Sequence, residues 1–547
     1  MVQTTLCVPL EVKPESASRL SALIELLKQQ EDKGAGGSVV NFGRLISEIP
    51  VLHFMSISVF TSVDYDPTFI LEANFDGPPG VFWGQLEAIL GDGARAMLRC
   101  CKPPLDRDAD LYQAITAPGS TAPVAPYFEA RTQWPSVFHH GNRGMTRDRI
   151  LAEAALFVAL RDALDDTARA GPDPYRGAAP TEVHERLRDK LRITFPWLDT
   201  PPPDRFPTAE HRADRIWLGA FVVILLLILT LPGIVFAAAA PWQLYVGVVA
   251  LLAAAIFLGI FWQRKPLPGT EVVTQFNLVG FLIQNAKFIL GYIAVAALVL
   301  AIGEVIVSFL LARFGFGKSI TLGDAYWPLT KVVLLSLLSL IVVLPLIILW
   351  LRYLERHDSS QDAPPMDEAV LREMARKEDW IAQNHMGSIV LIKPGILRMA
   401  VIRTGHLGLG LLLRVTATNG YLGSMRTVHF AHWAFLNNGS RLLFFSNFDQ
   451  GWGAYLDDFI EKAHVGLTLA WGTGIGFPAT RFLLFDGASH GRQFKNWALA
   501  SRAVSRFWFS AYPDLTVNQI ERNNRVANGL RVSSQTTTGA AEWIKDL

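Results

Sequence analysis

The chain has 547 residues, of which 50% are hydrophobic and 18% are charged, and its mean hydropathy is +0.26. This length exceeds that of one compact domain, and the apolar composition is typical of a membrane protein. A formal net charge of +1 gives no basis for nucleic-acid binding, so we expect no nucleic-acid partner. The three cysteines show no zinc-ligand spacing and fit a reducing, cytosolic setting.

Residues 1–150 are predicted to form a first α+β domain. A strand at 6–13 is followed by a helix with leucines at helical spacing, then by two apolar strands and a second helix. Extended segments are expected around 126–132 and 136–140. The resulting order, β-α-β-β-α-β, is that of the ferredoxin-like split βαβ fold.

Residues 151–210 contain two charged helical segments and end in a proline-rich breaker. This composition predicts a solvated helical connector.

Residues 211–356 are predicted to be a transmembrane block. Long runs at about 216–238, 242–262, 288–312 and 332–351 are apolar enough to cross a bilayer, and Glu304 alone interrupts them. Most flanking Lys and Arg lie on one side of a four-span arrangement, so both termini and both soluble domains are expected to be cytoplasmic. An acid in a span is costly and often functional, which leaves a transporter as a third hypothesis.

A linker and helix at 357–384 lead into a second α+β domain at 385–547. This domain repeats the first: Val-His-Phe at 428–430 matches Leu-His-Phe at 52–54, and both copies have a strand that ends in Asn-Phe-Asp. Thr146 and Thr516 are candidate N-caps of equivalent closing helices. The predicted fold class is therefore α+β, with duplicated ferredoxin-like domains forming an α+β barrel and a four-helix transmembrane block inserted between them.

The Asn-Phe-Asp motif supplies the first candidate catalytic residues, Asn447 and Asp449, with Asn74 and Asp76 as their twins. Alternate residues of a strand share a face, so the amide and the carboxylate point together and could hold a proton or a polar ligand. The alternative is that Asp caps the next helix and Asn closes the turn before it, and the presence of the motif in both copies favours this role.

A second group of candidates lies in the loop after the second helix of copy two. Arg481, Asp486 and Arg492 are candidate catalytic residues, because cations beside an acid and a histidine can stabilise an anionic oxygen. Three histidines could ligate haem iron through a neutral imidazole: His490 in this loop, His464 on the helix before it, and His429 on a repeat strand. His432 is a further strand histidine.

The order of elements resembles the dimeric α+β barrel superfamily, and within it the dye-decolourising peroxidases and chlorite dismutases. The GxxDG loop of those peroxidases has partial counterparts at Asp76-Gly77 and Asp486-Gly487, although Ala73 and Leu483 replace its first glycine. The resemblance implies haem, with His464 or His490 as the proximal ligand. The motifs VHFAHW and LLFFSNFD are also similar to a group of bacterial membrane proteins, which implies a bacterial inner membrane.

These features predict a membrane-anchored, haem peroxidase-like oxidoreductase that acts on a hydrophobic or membrane-derived substrate. The alternative is a non-catalytic membrane protein that binds a lipophilic small molecule or serves as a scaffold. The lipid bilayer is the expected partner in either case, and an oligomer is compatible with both.

Overall fold

The computed structural model describes residues 3–32, 43–166, 173–202, 204–205, 207–263, 280, 283–358, 368–377, 382–417, 420–422, 425–483 and 485–547. Parts of the predicted linker at 357–384 lie outside these residues.

The first α+β part has the predicted order of strands and helices, with additional short helices. Its elements are β1 (Gln3–Glu11), α1 (Ala17–Asp32), α2 (Gly43–Glu48), β2 (Leu52–Phe60), β3 (Thr68–Asp76), α3 (Pro79–Leu98), α4 (Ala109–Thr116), α5 (Ala125–Ala130) and β4 (Val137–His140). The extended segment predicted at 126–132 is wrong, because residues 125–130 are helical. The Glu87 carboxylate of α3 accepts the Val124 and Ala125 N–H groups at 2.7 and 3.0 Å and so caps α5 from a distant part of the sequence.

The middle of the chain is helical. It contains α6 (Arg147–Leu164), α7 (Pro180–Leu191), α8 (Thr208–Ala239), α9 (Trp242–Gln263), α10 (Ala286–Arg313), α11 (Leu322–Ser336), α12 (Leu340–Arg356) and α13 (Glu368–Lys377). Helices α8, α9 and α10, and the stretch Leu322–Arg356 that joins α11 to α12, are long and apolar enough to cross a membrane. The predicted fourth span at 332–351 is therefore part of a longer helical stretch, interrupted by a 3-10 turn at Leu337–Ser339.

The second α+β part repeats the order of the first. Its elements are β5 (Gln383–Leu391), α14 (Ile396–Thr416), β6 (Val428–Leu436), β7 (Arg441–Asp449), α15 (Trp452–Trp471), β8 (Thr480–Arg481), β9 (Phe485–Asp486), α16 (Gly491–Ala500), β10 (Arg502–Ala503), β11 (Phe507–Ser510), α17 (Val517–Arg531) and α18 (Thr537–Trp543). Helix α14 is a fifth helix that meets the length and composition expected of a span.

Helices α6 and α7 correct the prediction of a solvated connector. Leu156, Leu160 and Leu187 are fully buried in one cluster with Val526 and Leu530 of α17. The predicted N-caps at the start of α6 and α17 are confirmed, since the Thr146 and Thr516 side chains accept the N–H groups three residues ahead. The connector is thus packed against the closing helix of the second α+β part.

Two antiparallel sheets form the centre of the two α+β parts, which together with α6 and α7 are called the soluble part below. Their strand orders are β1-β3-β2-β11 and β10-β5-β7-β6-β4, so each sheet contains a strand from the other half of the chain. The registers are equivalent: Gln3 pairs with Asp76, Gln383 pairs with Asp449, and both hairpins have an irregularity just after their first pair. The repeat seen in the sequence therefore extends to the backbone pairing.

The exchanged strands connect the two sheets at their edges. Gln133 bridges to Cys7 of the first sheet, and residues 137–140 then pair with β6 of the second. At the other edge, residues 502–503 pair with β5 and residues 507–510 pair with β2. Helices cover the outer faces, so that all nine residues of β2 and of β3 are buried on one face or the other.

The end of β4 depends on a glycine. A Cβ atom on Gly141 would lie 2.1 Å from the Val428 carbonyl oxygen, and backbone cannot move aside cheaply. We expect Gly141→Ala to lower the free energy of unfolding by about 1–3 kcal/mol, as overpacking does. Chemical denaturation in detergent checks this, with Gly84→Ala as the control. Gly84 is an exposed glycine in α3 with open space around it, so its replacement is expected to stabilise, and equal effects of the two changes would contradict the prediction.

Candidate acid–base site between the two sheets

A buried carboxylate, Glu72 of β3, lies between the two sheets. Its side chain is fully buried. Ser56 Oγ donates to Oε2 at 3.0 Å, and the Asn74 and Asn447 amides donate to Oε1 at 2.5 and 3.5 Å. Burying a carboxylate costs several kcal/mol even after such compensation. An ionisable group at this position therefore calls for an explanation.

Two histidines of the opposite sheet face this carboxylate. His385 Nε2 of β5 lies 3.5 Å from Glu72 Oε2, and His432 Nδ1 of β6 lies 3.9 Å from Glu72 Oε1. Ser505 Oγ contacts His385 Nδ1 at 2.5 Å and so fixes the orientation of that ring. Neither ring nitrogen of His432 has a hydrogen-bond partner among the described residues. We call Glu72, His385 and His432 the interior triad.

The surroundings of the triad lower the pKa of Glu72 and of His432. Burial alone would raise the pKa of Glu72, but the hydrogen bond and charge of His385, together with His432 and Asn74, outweigh it and lower the pKa. Burial lowers the pKa of His432 to about 4, although the Glu72 charge opposes this. At neutral pH, Glu72 is therefore an ionised base beside an uncharged imidazole, in an environment that excludes water.

Comparison of equivalent positions in the two halves shows which residues of the triad come from each copy. The common register aligns Glu72 with Phe445, His432 with Ser56, and His385 with Thr5. The first copy thus supplies the carboxylate and the second supplies both imidazoles. Phe445 shows that the twin position is compatible with an apolar side chain.

The Asn-Phe-Asp motifs have a role common to both copies. Asp449 accepts His429 Nε2 at 2.7 Å through one oxygen and the Val517 N–H at 2.9 Å through the other. In the first copy, Asp76 lies 3.1 Å from His53 Nε2 and accepts the Arg147 N–H at 2.8 Å. Each aspartate therefore caps the closing helix of its own half, α17 or α6, whereas the predicted cap on the next helix, α3 or α15, is wrong.

Asn447 has a different position from Asp449. It lies in the interior, where it donates to Glu72 and accepts Trp508 Nε1 at 2.8 Å. Asn447 and its twin Asn74 both donate to Glu72 of the triad, so the prediction that Asn closes a turn is wrong.

The predicted loop cluster around 481–492 is brought together only in part. Arg481 Nε lies 3.4 Å from Asp486 Oδ2, and both side chains are buried. Glu355 of α12 accepts the Phe482 and Leu483 N–H groups, which ties this loop to the end of a candidate span. Arg492 is exposed and His490 is half-buried at the start of α16, so the predicted arginine–histidine site is not assembled.

The three histidines predicted to bind haem lie in different surroundings. His429 is held by Asp449, and its ring packs against Phe54 and Tyr512 at centroid distances of 5.4 and 6.1 Å. His464 is half-buried on α15. Two pockets, one beside Lys393 and the other beside Trp471, have volumes of about 20 Å³ each, which is room for a water molecule, and none of the three histidines lines either pocket.

Within the described residues, no group of three or more His, Cys, Asp or Glu side chains is arranged to hold a metal ion.

Reasoning from the sequence missed Glu72 and His385. Glu72 lies in the apolar run FILEANFD and was counted as part of a repeat strand. His385 precedes residue 388, where the strand was expected to begin, whereas β5 begins at Gln383. The mismatch of Glu72 with Phe445 in the repeat was the available signal.

Comparison of the chain with protein-family models, with curated proteins and with solved structures gave no match.

Proposed function

We propose that this protein is a membrane-anchored enzyme whose reaction site is the interior triad. The observation that carries the proposal is a fully buried, ionised Glu72 facing two imidazoles that come from the other half of the chain. Groups with a pKa shifted by burial and by specific partners are concentrated at functional sites. Five helices with the length and composition of spans support the membrane anchor.

The proposed chemistry is general acid–base catalysis. Glu72 takes a proton from the substrate, and the neutral His432 imidazole, with both nitrogens available, delivers or accepts the second proton of the cycle. Exclusion of water favours both steps, because solvent then does not compete for the transferred protons. The adjacent wall is apolar and includes Phe60, Ile70 and Phe445. This wall suits a small, largely hydrophobic substrate.

We infer that the two sheets constitute the duplicated ferredoxin-like α+β barrel. The equivalent registers of the two halves and the strands exchanged at both edges support this inference. In such a barrel, the interior triad is the natural location for a ligand.

Haem, oxidoreductase activity and cytoplasmic exposure of the soluble part remain predictions. An absorption spectrum of the purified protein tests the first two. A Soret band would support them, and a colourless sample that takes up no added hemin would remove them.

The proposed enzyme function is tested with Glu72→Gln. The full chain in lipid nanodiscs is incubated with a small-molecule extract, and mass spectrometry follows the compounds that are consumed or formed. We expect Gln to reduce conversions about 100-fold or more, because it has the shape of Glu but cannot take a proton. Its melting temperature is expected to be equal or higher, since a buried charge has been removed.

Glu129→Gln, at an exposed glutamate, is the matched control and should change neither quantity. If Glu72→Gln instead lowers the melting temperature and leaves conversion per folded molecule unchanged, Glu72 is a structural link between the halves and the proposal is wrong.

A further inference from the structure

Helix α14 has the composition of a membrane span but the position of a helix that covers a sheet. Its central His406 contacts Ser136 Oγ at 2.9 Å and the Ala470 carbonyl at 3.4 Å, both in the soluble part. Ile402 and Leu413 are buried in the same core as Val137 and Trp433. A helix whose midpoint packs on the second sheet does not have that midpoint in the centre of a bilayer.

Both ends of α14 lie at the charged ends of candidate spans. Near its last turn, Arg143 donates to the Arg414 carbonyl at 2.7 Å and pairs with Glu210 and Asp214 of α8 at 2.6 and 2.9 Å. Near its first turn, Arg398 donates to the Leu354 carbonyl of α12 at 3.1 Å. Charged residues in the end turns of a span mark the bilayer surface. Both ends of α14 therefore lie at the level of the bilayer surface.

The side of α14 turned away from the sheet is mostly apolar, with Arg403 as an exposed cation on one flank, and it contacts α8. A Cβ atom on Gly408 would lie 2.8 Å from the Phe221 ring, so glycine permits this close approach. Ile396, Leu407 and Leu412 remain 90%, 55% and 45% exposed. On helical geometry, Leu407 and Leu412 lie on opposite flanks of the strip around Gly408, so one neighbouring helix does not cover both.

The equivalent helix in the first half, α1, provides an internal comparison. Like α14 in the second half, α1 connects the first strand of its half to the second along the chain. Its exposed residues nevertheless include Arg19, Gln29 and Gln30, and its Leu26 side chain is 47% exposed. The two halves therefore differ in the surface that this helix presents. An apolar surface beside candidate spans indicates lipid, whereas a polar one indicates water.

We propose that α14 lies in the plane of the membrane surface, with its sheet-facing side in the protein core and Ile396, Leu407 and Leu412 among the lipids. The occupant of this surface is the bilayer, because α14 is hydrogen-bonded near its first turn to α12 and linked near its last turn through Arg143 to α8, and both of these helices are candidate spans. The other four candidate spans then cross. An even number of crossings is what the exchange of strands between the two halves requires, since β2 and β11 must be on the same side.

The test uses single cysteines labelled with bimane at Leu407→Cys and Leu412→Cys, with Leu26→Cys of α1 as the matched control. The native Cys7, Cys100 and Cys101 are buried and should not react in the folded protein. The full chain is placed in nanodiscs whose lipids carry a nitroxide either just below the headgroup or at the end of the acyl chain.

We expect the shallow nitroxide to quench the two α14 labels several-fold more than the Leu26 label, and more than the deep nitroxide does. Stronger quenching by the deep nitroxide would show that α14 crosses the bilayer. Quenching no greater than at Leu26 would show that water, a second copy or another protein covers this surface. Either outcome overturns the proposal, and gel filtration with a melting curve confirms that each variant is folded.

Discussion

Acidification from pH 6.5 towards pH 4 is expected to unfold the soluble part. His139, His140 and His432 are buried among the strands, and burial is the largest cause that lowers the pKa of each ring. The value is about 4 for His139 and His432, against an ordinary 6.5. These rings remain neutral in the folded state while the unfolded chain takes up protons.

The sign of the effect follows from this difference. The stabilisation is complete above pH 6.5 and is lost as the pH falls to about 4, because the unfolded state binds more protons in that interval. The difference between 6.5 and 4 corresponds to about 3 kcal/mol for each ring, so two such rings already approach the stability of a typical domain. Glu72, whose pKa is lowered, adds a further loss at the acid end.

Melting temperatures of the detergent-solubilised chain across this pH range measure the effect. Removal of one titrating ring by His432→Phe should flatten the pH dependence, whereas His357→Gln, at an exposed histidine of α12, should leave it unchanged. A melting temperature that stays constant from pH 7 to pH 4.5 would contradict this account.

Asp449→Ala is expected to destabilise the protein by about 2–4 kcal/mol. The change leaves His429 buried without its acceptor, which costs about 1–3 kcal/mol, and removes the cap of α17, which costs about 1 kcal/mol. Chemical denaturation followed by circular dichroism measures the loss.

The duplication supplies the controls for this experiment. Asp76→Ala, at the twin position, should cost a similar amount because it caps α6 in the same way. Asp449→Asn keeps an acceptor oxygen and should cost less than half as much as Asp449→Ala. A loss below about 0.5 kcal/mol for Asp449→Ala would show that this contact contributes little, as at ordinary surface positions.

The repeat motif was sufficient to predict the order of elements, because strand and helix periodicity and the Thr caps are local properties of the sequence. It also predicted that the Asp of Asn-Phe-Asp caps a helix, but it wrongly named the next helix along the chain. The helix is α17 or α6, about 70 residues further along the chain, since the cap depends on packing that no local pattern encodes.

The candidate site could not be predicted from the sequence, for a related physical reason. Glu72, His385 and His432 lie on three strands, and they meet because the inner faces of two sheets oppose each other. Sequence patterns distinguish a buried face from an exposed one, but β3 and β7 are buried on both faces and lose that alternation. Pairing of β11 with β2 likewise joins residues more than 400 positions apart.

The exchange of strands also constrains how the protein is made. The first sheet needs residues 507–510, which are synthesised more than 400 residues after β2. During synthesis the edge of β2 stays unpaired while the candidate spans enter the bilayer. An unpaired edge strand promotes aggregation. Biogenesis of this chain should therefore depend on chaperones that shield nascent strands, and truncation before residue 507 should yield an aggregating product rather than a folded first half.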